Sequence, residues 1–453
     1  MLRVREYAGS GVRRAGTRMR LLKTIVMAAT LAGPLAALSH MDAAIAAPVF
    51  KRLHSFTGGQ DGAFPPSSVT LGKSGSLYGA TGFGGTAGNF GTVFEMTPPA
   101  TGQKNWRERI IYRFQGTADG ARPFGRLIFD AAGHIYGVTQ DGGLDGGCFN
   151  GCGTVYMLTK PQSGNGSWTK TTLYSFKGGK DGSDPVAGLL LGTDGSLYGV
   201  TVQGGSAPVG TGIGTVFQLV PPRQPGGTWV KKTLVDFTAA KLGANPNAML
   251  IADSTGLIYG TTSGGGNFDL GTVFTLKPPA AGQTKWTHTI IHHFKGGTSG
   301  SSPYYGGLVL KSGALFGTTP QGGHGTVFKL TPPATGNLWK ETVLYRFKGG
   351  ADGASAFGIV FNRAGEIFGG TALGGGTDDG GTIYKLVRPT TGKLWTHTVL
   401  HRFSTSLNGH RPSPGLALGG DGTLYGATEQ GGTGNPSLCG DFRFCGTVFQ
   451  LKP

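Results

Sequence analysis

Four kinds of apolar run follow one another in fixed order along this chain. In one unit, "AGLLLG" (187–192) and "SLYGVT" (196–201) come first, on either side of a "TDG" turn. "GTVFQLV" (214–220) follows a Gly-rich loop, and "TWVKKTLVDF" (228–237) follows a Pro-rich turn. Runs this short, rich in Val, Ile, Tyr, Phe and Thr, predict strands. The first two are apolar on both faces, as strands sandwiched between neighbouring layers are. The last alternates apolar with charged residues or His, as do "WTHTIIHHF" and "WKETVLYRF", which predicts a half-exposed outer strand. D-G, G-G and P-P pairs punctuate the reversals. Outside the N-terminal segment no run keeps a helical period. The strands therefore read A to D, inner to outer.

The unit recurs. "LYGAT" (77–81), "IYGVT" (135–139), "LYGVT" (197–201), "IYGTT" (258–262), "LFGTT" (315–319), "IFGGT" (367–371) and "LYGAT" (424–428) are each followed by Gly-Gly and then by GTVF, GTVY or GTIY. All six Trp stand at one place in the unit: Trp106, Trp168, Trp229, Trp286, Trp339 and Trp395, each with a Phe eight residues later. A long period of four short strands predicts the blades of a β-propeller. The fold expected is all-β, a seven-bladed propeller of four-stranded blades. Its blade units are about 57–114, 115–176, 177–237, 238–294, 295–347, 348–403, and 404–453 with 48–56. An open solenoid would need polar caps, and no capping unit is present. The last unit stops after strand C at "FCGTVFQLKP", whereas "PVFKRLHSF" (48–56) matches the strand D template. Val49–Phe56 is expected to pair with Gly446–Leu451 and close the ring.

Composition sharpens this picture. The 86 glycines would suggest disorder were they not turn punctuation in a chain with 26 Phe, 13 Tyr and six Trp. Arg13, Arg14, Arg18, Arg20 and Lys23 lead into the apolar run Thr24–Leu38, broken by Pro34, with a small-x-small site at Ala44–Ala46. Residues 1–46 thus read as a secretory signal rather than a membrane anchor, which sets 47–453 as the mature, exported domain, periplasmic or extracellular. Removing that segment leaves 33 basic and 21 acidic residues, a net +12. The basic residues are spread rather than clustered, and no nucleic-acid-binding motif accompanies them, so nucleic acid is not expected as a partner.

The DG-x-LYG-x-T…GG…GTVF-x-L-x-P units resemble the GloVer tandem repeat of bacterial "choice-of-anchor" surface proteins. The resemblance covers essentially all of 47–453. It implies an exported repeat protein, β-propeller-like, without a defined biochemical role. The chain departs from that pattern in ending at Pro453 with no apolar tail, sorting helix or LPxTG-like motif.

Candidate chemistry gathers on one face. The A-to-B turns are tight and alike, whereas the B-to-C loops vary from "PQGGHGTVF" (320–328) to "EQGGTGNPSLCGDFRFCGTVF" (429–449). Variable loops on a constant scaffold mark a ligand face. The D-to-A connection opens on that face in a G-x-X-P frame, where X is Phe64, Arg122, Asp184, Asn245, Ser302, Ser355 and Arg411. The next positions add Phe124, Asn247, Tyr304 and Phe357. This mixed ring predicts a binding site at the channel mouth for a polar or anionic glycan, or for a partner protein. The alternative is a carbohydrate-active enzyme, a lyase or glycosidase, for which Asp184 with Arg122 or Arg411 is the one constellation available.

Two Cys pairs, Cys148/Cys152 and Cys439/Cys445, sit in B-to-C loops and predict local disulfides that shape those loops. A zinc ion on all four thiolates would need blades two and seven to meet across blade one. His54, His288, His292, His293, His397 and His401 fall on D strands and form no site. Asp378 and Asp379 would hold calcium only with further partners. H-E-x-x-H, G-x-S-x-G and EF-hand signatures are missing. The expectation is a monomeric binding or scaffold protein without cofactor or metal.

Overall fold

The computed structural model describes residues 47–453, except 86–87, 144–146, 163–165, 207–212, 239, 377, 392–394, 405–407, 435 and 440–444. Residues 1–46, read above as a secretory signal, lie outside the described residues. Among these, no helix is long and apolar enough to cross a membrane.

Seven antiparallel sheets form the blades of a propeller. Blade 1 is Thr70–Leu71, Leu77–Thr81, Thr92–Thr97 and Arg107–Arg113, and the pattern repeats around the ring. Strand A is short in most blades but runs Ala121–Phe129 in blade 2 and Ala354–Phe361 in blade 6. Blade 7 takes Leu424–Gln430 and Thr447–Lys452 from one end of the chain and Val49–Ser55 from the other. Val49 pairs with Lys452 and Ser55 with Thr447, and the Phe56 amide donates to the Gly446 carbonyl at 3.0 Å. The ring closes as its sequence predicts.

The core lies between blades, and the repeated residues explain why. The Phe that ends each strand D meets the aromatic of the next blade's GTVF or its equivalent. Phe56–Phe94, Phe114–Tyr156, Phe176–Phe217, Phe237–Phe274, Phe294–Phe328, Phe347–Tyr384 and Phe403–Phe449 have ring centroids 5.0 to 5.8 Å apart. One aromatic pair therefore seals every interface. The Gly after Tyr or Phe in strand B makes room for it, since a Cβ on Gly79 would come within 2.4 Å of the Phe94 ring. The Thr that follows shares a buried hydroxyl contact with the Thr of strand C, as in Thr81–Thr92 at 2.8 Å.

The outer strands are less exposed than alternation suggests. Their polar side chains turn sideways into the groove between blades. Asp119 accepts from the Tyr112 hydroxyl of blade 1 (2.7 Å) and from the Lys170 ammonium of blade 2 (2.9 Å), and Asp181 repeats this with Tyr174 and Lys231. His292, at the same inter-blade level, is buried, and burial holds the His288, His292 and His401 rings down to about 4. These histidines are packing residues of the rim.

Both predicted disulfides are formed, with Cα separations of 5.3 Å (Cys148–Cys152) and 5.0 Å (Cys439–Cys445). The second does more than shape its loop. Cys439 and Cys445 are fully buried and pack with Phe56, Phe94 and Val448 at the seam of the ring.

Candidate functional site

The seven X residues share one backbone state. Phe64, Arg122, Asp184, Asn245, Ser302, Ser355 and Arg411 all have φ between 52° and 58°, the left-handed region. A non-glycine residue there costs on the order of 1 kcal/mol or more, so the surroundings must enforce it. They do so identically. Each X amide donates to a carbonyl just before the GT of the preceding blade, as in Arg122 to Phe90 (2.9 Å), Phe64 to Cys445 (2.8 Å) and Asp184 to Cys152 (3.3 Å). The Pro that follows X in six blades packs on the glycine of that GT, so that a Cβ on Gly91 would sit 2.6 Å from the Pro123 ring. Each blade thus clamps the first residue of the next blade's inner strand and aims it at the channel mouth.

The mouth contains a cavity of about 560 Å³. Of the predicted residues, Phe64, Ser302, Tyr304, Ser355 and Arg411 line it, together with Phe124 and Phe357. Arg122, Asp184 and Asn245 stand on the same ring outside this lining. The Asn245 side-chain amide is bonded to the Val202 carbonyl at 3.2 Å.

The two arginines find carboxylates that the G-x-X-P frame did not include. Arg122 lies 3.3 Å from Asp141 and 5.2 Å from the Phe83 ring centroid. Arg411 Nε lies 3.9 Å from Glu429. Burial pushes Glu429 up to about 7, against the pull of Arg411. Burial also raises Asp184, helped by the charge of Asp141 and opposed by Gln140, Arg122 and Gln203, and it raises Asp141 against Arg122. Tyr305 connects these groups. Its hydroxyl is raised far above the ordinary value by burial, by the Tyr304 hydrogen bond and by the charges of Glu429 and Asp184. Its ring centroid lies 3.9 Å from that of Tyr304 and 5.7 Å from that of Phe124.

Glu429, Asp141, Gln140 and Gln203 occupy the two positions after the constant Thr of strand B. Those positions vary from blade to blade as much as X does, so the same heterogeneity marks them in the sequence. Tyr305 has another signal. Six positions separate Ser302 from the core residue Leu308, where five separate Asp184 from Leu189. The extra residue lifts Tyr305 into the axis with φ 47°.

Among the described residues, no three His, Cys, Asp or Glu side chains come together to hold a metal. Asp379 instead accepts the Gly374 amide within its own loop.

The profile of the Gloeobacter/Verrucomicrobia repeat matches three times, over residues 42–221, 107–304 and 283–453. The chain belongs to this repeat family. No curated protein matches this repeat protein. Among solved structures, it is similar to the PQQ-bound aldose sugar dehydrogenase of Streptomyces coelicolor at 13% identity, covering 89% of this chain and 98% of that one, TM-score 0.41. It is also similar to the NanB sialidase of Streptococcus pneumoniae at 11% identity, covering 89% of this chain and 70% of that one, TM-score 0.40.

Proposed function

We propose that this repeat protein is an exported glycan-binding propeller whose ligand, a polar or acidic saccharide, sits in the mouth cavity. One observation carries the reading. The cavity combines the rings of Phe64, Phe124, Tyr304, Tyr305 and Phe357 with the Arg411–Glu429 pair. Aromatic faces cover the C–H faces of a sugar, while a few placed polar groups fix its orientation. Arginine adds a planar donor fork suited to a carboxylate substituent. Two disulfides and the leader-like segment 1–46 fit an oxidising compartment outside the cytoplasm.

A glycan array followed by calorimetry on the best hit tests this reading. Tyr304 is 41% exposed, so Tyr304→Ala leaves the core intact and should weaken binding about two- to ten-fold, the loss of one stacking ring. Arg411→Gln should weaken acidic ligands more than neutral ones. Unchanged affinity in both variants overturns the assignment.

A second reading, a carbohydrate-active enzyme, is favoured by Glu429. A carboxyl pushed up to about 7 and lining an aromatic cavity is suited to general acid catalysis. Reducing-sugar and unsaturated-product assays on the array hits separate the two. Turnover that Glu429→Gln abolishes would establish the enzyme; binding without turnover leaves the lectin-like role.

A further inference from the structure

Below the mouth, the inner strands converge on an axial cavity of about 270 Å³ that takes lining residues from all seven blades. One layer of it is unusual. The residues immediately before the core residues Val69, Leu127, Leu189, Leu250, Leu308, Ile359 and Leu416 are Ser68, Arg126, Gly188, Met249, Gly307, Gly358 and Gly415. Four of the seven have no side chain. Close approach of the strands accounts for two of these, since a Cβ on Gly188 would sit 2.7 Å from the Arg126 carbonyl oxygen and one on Gly358 2.7 Å from the Gly415 backbone. The layer therefore holds a single charged side chain, Arg126.

Among the described residues, nothing balances that charge. No Asp or Glu is among the described residues that line the axial cavity. Among the described residues, Arg126 makes no ion pair, and its one hydrogen bond runs from Nε to the Thr70 hydroxyl at a long 3.4 Å. Thr70 is itself committed, donating to the Leu127 carbonyl at 2.6 Å. The terminal nitrogens of the guanidinium are left to the channel. Arg126 shares one strand with Arg122 and Phe124, within the stretch between Phe124 and Ile128 where the pairing with the next strand is irregular. It lines the axial cavity and not the mouth cavity. Tyr305 and Pro414 line both the mouth cavity and the axial one. A buried cation without a counter-charge is costly, and an anion that reaches it removes that cost. Burial acts on Arg126 in the same sense, disfavouring its charged form.

We propose that Arg126 anchors an axial binding site for a small oxyanion of the carboxylate or phosphate class, reached from the mouth past Tyr305. The guanidinium supplies the bidentate donor pair such an anion needs. The site is separate from the aromatic mouth and does not depend on its being a glycan site.

The test is a titration of the full chain against inorganic phosphate at fixed ionic strength, followed by 31P NMR. Parallel arms replace phosphate with acetate, glucuronate or neutral glucose in competition. Saturable phosphate binding is expected, displaced by acetate or glucuronate and untouched by glucose. Displacement by glucuronate alone would identify a sugar acid as the source of the carboxylate; displacement by acetate as well would identify a general anion site. Arg126→Gln should weaken phosphate at least about ten-fold, the loss of one charged bidentate pair. Arg411→Gln should leave it within two-fold, because that residue lines only the mouth. No binding to the wild-type chain, or equal loss in the two variants, overturns the proposal. If Arg126→Gln fails to fold, wild-type crystals soaked in selenate decide. An anomalous peak within hydrogen-bond distance of the Arg126 guanidinium supports the site, and a channel without one overturns it. The mouth reading is scored independently by Tyr304→Ala and glycan binding.

Discussion

Replacing Phe56 by Ala tests the closed ring energetically. Phe56 ends the strand contributed by the N-terminal segment, is fully buried, and has its ring centroid 5.2 Å from that of Phe94 in blade 1. Phe237 holds the same place between blades 3 and 4, also fully buried, 5.8 Å from Phe274. Removing a fully buried phenyl ring forfeits its transfer energy and leaves a cavity, about 3–5 kcal/mol together. A ring whose seam is packed like its other interfaces must lose that much at both sites. An open ring, with its end blades facing solvent, would lose the full amount at Phe237 and roughly 1 kcal/mol at Phe56, where little burial exists to be undone. Urea unfolding of Phe56→Ala, Phe237→Ala and the parent, analysed with a common m-value, measures the difference. A cost at Phe56 below half of that at Phe237 would refute the closure.

Other outcomes follow from the same geometry. Burial holds His288, His292 and His401 at about 4, against 6.5 for a free imidazole, so the unfolded chain binds more protons between those values. Stability is then full above pH 6.5 and falls as pH drops, by on the order of 2–3 kcal/mol per ring at pH 4; a Tm that stays level from pH 7.5 to 4 would contradict this. Glu429 works in the opposite direction, because its folded value of about 7 lies above that of a free carboxyl, and the folded state loses stability as pH rises from about 4.5 to 7. Glu429→Gln should therefore raise Tm relative to wild type more at pH 8 than at pH 5, and an equal difference at both would count against the buried carboxyl. Reducing Cys439–Cys445 frees a short loop, about 2 kcal/mol by chain entropy, and loosens packing around Phe56. Cys439→Ser with Cys445→Ser should thus lower Tm more than the matching pair at Cys148 and Cys152.

Much of this molecule is legible because its sequence states each contact seven times. The Phe of strand D, the Gly and Thr of strand B and the GT of strand C recur together because each fills a place at the blade interface, and one reading serves seven interfaces. The X residues are legible for the opposite reason: a constant backbone position carries changing side chains. What escaped lies where the repeat itself shifts. Tyr305 enters the axis through one added residue, and Glu429 and Asp141 follow the constant Thr rather than the G-x-X-P frame. Arg126 was hidden inside a run that reads as inner strand, and only the glycines of the neighbouring blades leave space around it. Alternation along a single strand could not report that His292 is buried, because the groove that covers it is made by two blades.

The seam also has a mechanical consequence. Val49 lies opposite Lys452, so the first and last strands of the propeller enter and leave at the same end of one antiparallel pair. Tension between Val49 and Lys452 would load the hydrogen bonds of the pair in succession, from Val49 towards Ser55, rather than all together. Each of the other six blades is built from one continuous stretch of chain and would feel the load only after the seam had parted. A ring whose interfaces share one packing design against heat is thus least resistant to pulling at a single zipper, its own point of closure.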